Sequence, residues 1–366
     1  MQISKISSAC GTRSRNSQVA EGWSDIHTPS AQAISARSNS PRPAKISEIA
    51  RLYGICMITP QETYPKLAAA VGVSSLFLKR EDLHPYGSHK GRSIPVMIKE
   101  YLEEGKRHFA ISSSGNAALA AALYVKELNE INSQSMKAAE AFEKHGDIKL
   151  EILVGTHIPE HKLKKLLDLA DENISVMRFE RPLQTLTQKT ADGSIQSLRQ
   201  STDELALIGY ESLAEELAKI KDLQAVFMPT SSGTTAEALA KYFVEKGKSE
   251  KEKAKKVEIH IVQTTSCHPL AQEFLDSLSS DETSIADAIV DKTALRKDTL
   301  APLVKKIGGS GWVATNEEIR TAQELIQKHA GFAVSPNGAL GVAGLIQAVL
   351  SGKEWNRSVV CVIGGE

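Results

Sequence analysis

The chain has 366 residues, enough for two domain-sized units with a substantial core. Its 44 Lys and Arg balance 44 Asp and Glu, so no charge excess points to nucleic acid or an anionic membrane. No apolar run approaches the about 18 residues of a membrane span, and the four cysteines (Cys10, Cys56, Cys267, Cys361) are too scattered for a zinc ribbon or disulfide framework, which fits a reducing compartment.

Residues 1–45 are rich in Ser, with scattered Arg and Lys, few acids and no sustained periodicity, so a disordered tail is expected there. A basic, acid-poor, Ser-rich start also reads as an organelle transit peptide. Glu21, Asp25 and the lack of a clear amphipathic helix count against that reading. The expected location is the cytoplasm, with organellar import as the alternative. From Ser47 onward strand and helix signals alternate. Strands are expected at 75–78, 108–111, 149–154, 174–178, 224–228, 257–263 and 359–363, with helices among them at 161–169, 214–219, 317–330 and 338–350. Such alternation predicts an α/β fold with largely parallel sheets, whose ligands bind beyond the carboxyl ends of the strands. Flexible connections are expected at 129–146 and at 247–256, the latter a Lys/Glu run at a solvated helix end. His157 and His161 stand one helical turn apart with Pro159 between them, and read as surface residues; no metal is expected.

Three segments carry chemistry. In Lys79-Arg80-Glu81-Asp82-Leu83-His84-Pro85-Tyr86-Gly87-Ser88-His89-Lys90-Gly91-Arg92, a strand runs into a Pro/Gly turn and Lys90 stands where a helix begins. A helix start prefers anions and lowers an ammonium's pKa, which suits a nucleophilic amine. Alone, such a lysine reads first as a solvated surface charge. The second segment, Ser112-Ser113-Ser114-Gly115-Asn116-Ala117, opens an alanine-rich helix through Val125. Hydroxyls, a glycine and free helix-start N–H groups make an anion site, although the segment alone reads first as a capped turn. The third, Thr230-Ser231-Ser232-Gly233-Thr234-Thr235, follows an apolar strand and offers many donors to one phosphate. It lacks the lysine of a Walker A loop, and an ordinary capped α/β turn fits it as well.

Taken together and in this order, the segments resemble the pyridoxal-phosphate (PLP) enzymes of the tryptophan synthase β-subunit type, fold type II, from about Ser47 onward. Within that family the chain is most similar to the threonine synthase group, on Lys-Arg-Glu-Asp before the lysine, on Ser-Ser-Gly-Asn, and on Arg199-Gln200-Ser201 followed by Gly209-Tyr210. The resemblance implies two open, largely parallel sheets with flanking helices: a large domain of 46–104 plus 205–366 and a smaller, movable domain of 105–204. It implies PLP as cofactor, bound covalently by Lys90, with Asn116 at its ring hydroxyl, Ser231, Ser232, Gly233, Thr234 and Thr235 at its phosphate, and Ile363 at its ring nitrogen. The carboxylate of a small amino-acid substrate would lie on Ser113, Ser114, Gly115 and Asn116. A homodimer is the assembly the family implies.

The chain also departs from the family. Ile363 stands where Ser or Thr usually meets the ring nitrogen, and isoleucine cannot hydrogen-bond it; Cys361 lies on the same strand face about 6.6 Å away. Ser335 stands where relatives often carry Glu, and Ser231 and Thr234 replace two of the usual phosphate-loop glycines. The sequence stops at Glu366, just past the final glycines, where relatives carry a further segment. The implied activity is that of a lyase that deprotonates Cα and then eliminates or replaces a leaving group, with O-phosphohomoserine to threonine as the leading reaction. In that reaction Lys79, Arg80 or Arg92 would pair with the substrate phosphate, or else form ion pairs with Glu81 or Asp82. The alternatives are a serine/threonine dehydratase, a cysteine-synthase-like β-replacement enzyme, and a PLP-binding relative without turnover.

Overall fold

The computed structural model describes residues 57–138, 147–249, 256–276 and 283–365. The expected tail at 1–45 lies outside them. The central strands form because Val-, Ile- and Leu-rich runs can be buried on both faces. In β10 (Ser358–Ile363), Cys361 and Ile363 pack on one side with Leu340 and Ala343, while Val360 and Val362 pack on the other with Val226 and Leu239. This strand lies between β2 (Ser75–Arg80) and β7 (Leu223–Pro229), parallel to both. β1 (Gln61–Thr63) adds antiparallel to β2 at one edge, and β8 (Glu258–Thr264) and β9 (Gly311–Ala314) extend the sheet from β7 at the other.

A second, four-stranded parallel sheet runs β5-β4-β3-β6, from β3 (His108–Ser112), β4 (Lys149–Gly155), β5 (Ile174–Phe179) and β6 (Gln196–Ser197). The α/β class with two largely parallel sheets is thus as expected.

The helices come between the strands: α1 (Pro65–Val71), α2 (Lys90–Glu103), α3 (Asn116–Ala138), α4 (Glu160–Leu167), α5 (Pro182–Lys189), α6 (Leu205–Gly209), α7 (Glu211–Leu217), α8 (Thr234–Ser249), α9 (Lys297–Lys306), α10 (Asn316–Ala330) and α11 (Pro336–Leu350). Ile94, Met97 and Ile98 of α2 share a core with Phe109 and Ile111 of β3 and with the alanines of α3. The four-stranded sheet therefore packs against the helix that Lys90 begins.

One connection differs from expectation. Residues 129–138, expected to be flexible, continue α3, and 139–146 lie outside the described residues. At the start of that stretch the Asn129 side-chain amide clamps both backbone groups of Ile148, donating to the carbonyl and accepting from the N–H at 3.0 Å each. For the run at 247–256, α8 reaches Ser249, and 250–255 lie outside the described residues. No described helix is long and apolar enough to cross a membrane.

Candidate active site

All three chemistry-bearing segments follow the carboxyl ends of parallel strands: Lys90 after β2, Ser113–Asn116 after β3, and Ser231–Thr235 after β7. They line one cavity of about 560 Å³, which holds Lys90, Ser113, Ser114, Gly115, Asn116 and every residue from Ser231 to Thr235. Ile363 does not line it. That side chain is fully buried and faces a neighbouring cavity of about 570 Å³ with Gly364, Gly365 and Ser335. The two cavities share Ser114, Gly115, Asn116 and Lys162 as walls.

Lys90 is the first residue of α2, as expected. Its backbone N–H donates to Ser88 Oγ at 3.2 Å, and its Nζ lies 6.0 Å from the centre of the Tyr210 ring. Beneath it lies a charge network that sequence reading did not reveal. Arg92, in the same first turn, donates from Nε and Nη2 to Glu81 at 2.7 and 2.8 Å and from Nη1 to Glu216 Oε1 at 2.8 Å. Lys79 Nζ donates to Glu216 Oε2 and, at 2.8 Å, to the carbonyl of Thr59. Burial alone would raise the Glu81 carboxyl, but the Arg92 charge and hydrogen bonds from Arg92 and Thr59 hold it down at about 2. Lys79 and Arg92 are therefore committed inside the protein rather than to a substrate phosphate: Arg92 makes the expected alternative ion pair with Glu81, buried and not at the surface, while Lys79 pairs with Glu216 instead. Arg80 pairs with Asp82 at 2.7 Å and lies 3.7 Å over the Phe332 ring.

The Ser113–Asn116 loop is held by Ser113 Oγ, which accepts from the Gly115 N–H at 3.3 Å. Asn116 begins α3, and a Cβ added to Gly365 would stand 3.1 Å from its Oδ1 and 2.3 Å from the Gly87 carbonyl. Only glycine lets the chain end pack between the lysine loop and Asn116. In the Ser231–Thr235 loop, Gly233 alone takes a left-handed φ, +85°, so Ser231 and Thr234 occupy ordinary backbone where glycine is not required. Ser232 Oγ and Thr234 Oγ1 lie 2.9 Å apart at the start of α8. Ser231 Oγ accepts from the N–H groups of Val290 and Asp291, tying a wall loop to the strand end. Ser335 caps α11, accepting from Gly338 N–H at 3.0 Å and donating to the Gly365 carbonyl at 3.2 Å.

Several lining residues were not singled out in the sequence as site residues: His89, Lys162 and the loop Asp287–Thr293. Asp287, on that loop, pairs with Lys162 of α4 at 2.7 Å and accepts from Asn337 Nδ2 at 3.1 Å. His89 caps α2, and its Nδ1 is buried with no hydrogen-bond partner among the described residues. Burial, reinforced by the Lys90 charge, pushes its imidazole down to about 3, so it stays neutral. The exposed His157 and His161 form no metal cluster, and the described residues contain no group of three metal-ligating side chains. Cys267 and Cys361 are buried free thiols, and burial raises both.

A primary amine, a loop of hydroxyls on a helix N-terminus and an amide at a second helix start converge on one hollow. Such a donor set fits an aromatic aldehyde that carries a phosphate. The comparison with known families agrees: residues 55–133 and 135–365 match the model of the pyridoxal-phosphate dependent enzymes. The chain belongs to that family. Its cofactor is pyridoxal phosphate, and it is related to threonine synthases and threonine dehydratases. It is 27% identical over 323 residues to the threonine synthase of Methanosarcina acetivorans, covering 84% of this chain and 74% of that one. It is 24% identical over 327 residues to threonine synthase of Mycobacterium tuberculosis, covering 84% and 82%. It is 23% identical to the biosynthetic L-threonine dehydratase of Haemophilus influenzae, over 86% of this chain and 57% of that one. Among solved structures it shares the fold of maize serine racemase, with a TM-score of 0.66 at 17% identity, covering 88% and 93% of the two chains. Threonine deaminase isoform 2 of Solanum lycopersicum gives 0.64 at 18% identity, covering 89% and 92%.

Proposed function

We propose that this PLP enzyme is a lyase that deprotonates Cα of a small amino acid and then eliminates or replaces a leaving group, with O-phosphohomoserine to threonine as the favoured reaction. The observation that carries the reading is the single cavity lined by Lys90, Ser113–Asn116 and Ser231–Thr235. Bound pyridoxal phosphate supplies the electron sink for the charge left on Cα. Lys90 Nζ would hold the cofactor and, as a free amine, would take the Cα proton. Ser231–Thr235 and the N-terminal amides of α8 hold the phosphate by hydrogen bonds. Ser113 and Ser114 hydroxyls and the amides opening α3 orient the substrate carboxylate. His89, held neutral by burial, adds no cation beside Lys90. Ile363 lies outside this cavity and has no hydrogen-bonding group, so no role toward the cofactor's ring nitrogen is assigned to it. The four-stranded-sheet unit, 105–204, would move to close over the substrate, in a homodimeric cytoplasmic enzyme.

The likeness to threonine synthases supports the leading reaction, and the likeness to a threonine dehydratase keeps dehydration as the second reading. The test is the absorbance spectrum of the purified protein beside Lys90→Ala, followed by titration with O-phosphohomoserine, serine and O-acetylserine. The wild type should carry the visible band of covalently held cofactor, and the variant should lack it. Release of inorganic phosphate and threonine from O-phosphohomoserine would establish the leading reaction, whereas ammonia from serine or threonine would establish the second. A cofactor band that responds to none of these amino acids would refute both and leave a binding protein without turnover.

A further inference from the structure

Arg296 does not line the cavity, yet it packs behind the Ser231–Thr235 loop: a Cβ built on Gly233 would stand 3.8 Å from Arg296 Cβ. It is buried and precedes α9. Its guanidinium joins two parts of the fold. Nη1 donates to Glu237 Oε2 at 3.0 Å and to Glu204 Oε1 at 3.1 Å. Nη2 donates to the carbonyls of Gln200 at 2.9 Å and Asp203 at 2.8 Å. Glu204 is exposed, so its ion pair counts for little, whereas Glu237 is as buried as Arg296.

Glu237 lies in the first turn of α8, and its N–H donates to the Gly233 carbonyl at 2.8 Å, so its carboxylate stands within one turn of Ser231–Thr235. An acid there suits the helix dipole, but it also repels any anion that the same helix start would hold. Two cations face it: Arg296 at Oε2, and Lys241 at 2.7 Å from Oε1. Lys241 is 40% exposed and screened by water, whereas Arg296 is buried, so Arg296 carries most of the neutralisation. The same guanidinium fixes the Gln200 carbonyl, to which Thr234 Oγ1 of the loop donates at 3.5 Å. Loop and guanidinium thus share one backbone anchor.

We infer that Arg296 is a positioning residue for the cofactor phosphate: by neutralising Glu237 and packing behind Gly233, it keeps the start of α8 receptive to an anion. It acts through Glu237 and the loop backbone, from outside the cavity. This rests on reading Ser231–Thr235 as the phosphate seat.

The test titrates the full chain, freed of cofactor, with pyridoxal phosphate and with pyridoxal, which keeps the aldehyde and lacks the phosphate. The readout is the ratio of the two affinities, which a general loosening of the fold around Lys90 would leave unchanged. Arg296→Met should lower the preference for pyridoxal phosphate by about 3- to 30-fold, the range of a charge acting at a helix N-terminus. Arg296→Lys, which keeps the charge but loses the fork, should lower it less. Glu237→Gln removes the repelling carboxylate and should raise the preference. The double variant Arg296→Met with Glu237→Gln should recover most of what Arg296→Met loses. A wild-type preference that none of these variants moves overturns the inference and leaves the phosphate seat in place. A double variant worse than Arg296→Met also overturns it, by making the pair a packing element alone. If Arg296→Met does not fold, Glu237→Gln decides: a raised preference supports the inference, and an unchanged or lowered one overturns it. A wild type with no preference for pyridoxal phosphate over pyridoxal removes the phosphate from this loop, and the inference falls with that reading.

Discussion

Replacing Glu216 with Gln removes one charge from the buried network beneath Lys90. Lys79, Glu81, Arg92 and Glu216 have side chains 0–5% exposed and together carry no net charge. Both Glu216 oxygens accept: Oε1 from Arg92, and Oε2 from Lys79 and from Arg92 Nη2 at 3.2 Å. The Gln amide keeps one accepting oxygen but turns an NH2 toward the other cationic donor, Lys79 and Arg92 lose their shared counter-charge, and a net positive charge stays buried. Breaking one side of a buried pair costs about 3–5 kcal/mol, a large part of the about 5–15 kcal/mol that holds a typical domain together. At about 2 °C per kcal/mol for a large domain, the melting temperature should fall by roughly 6–10 °C. Urea denaturation should show a lower midpoint with unchanged slope. Because Arg92 sits in the turn that starts at Lys90, the folded variant should also capture pyridoxal phosphate more weakly. The double variant Lys79→Met with Glu216→Met restores neutrality and should recover much of the loss. A loss below about 1 kcal/mol for Glu216→Gln, the range of exposed pairs, would refute the reasoning, because it would mean that water solvates the network.

Two further perturbations follow from the same geometry. Gly233→Ala forces a Cβ to 2.9 Å from Leu300 Cδ2 at a φ of +85°, which should cost about 1–3 kcal/mol and weaken cofactor binding; apoprotein titration with pyridoxal phosphate checks it, and unchanged affinity would remove the loop from the phosphate seat. Burial lowers His84 to about 4 and, with the Lys90 charge, His89 to about 3. Unfolded histidine protonates near about 6.5, so below that pH the unfolded state binds more protons. Stability is therefore full above about pH 6.5 and is lost as pH falls, by up to about 1.4 kcal/mol per unit for each histidine. Denaturation at several pH values should show a shallower fall for His89→Asn by about one proton, and parallel curves would count against a neutral His89.

The legible parts of this molecule are those whose signal is local. The strands that frame the site were readable because burial on both faces makes them continuous apolar runs, and β10 is the plainest case. β1, β6 and β9, with three, two and four residues, are too short to show a period and take their place from their neighbours. Asn129 shows the limit of propensity: its amide serves Ile148, nineteen positions on, and the helix continues through it. The site divides in the same way. Lys90, Ser113–Asn116 and Ser231–Thr235 were legible because a strand end, a small-residue loop and a helix start are written consecutively. The cations nearest Lys90 in sequence looked equally available for a ligand. They are not, because Glu216, over a hundred residues away in sequence, is folded against both Lys79 and Arg92. That commitment has a chemical consequence. Lys79 and Arg92 are spent on holding α2 in place and Lys162 is paired with Asp287, so none of these three cations is left over for a ligand.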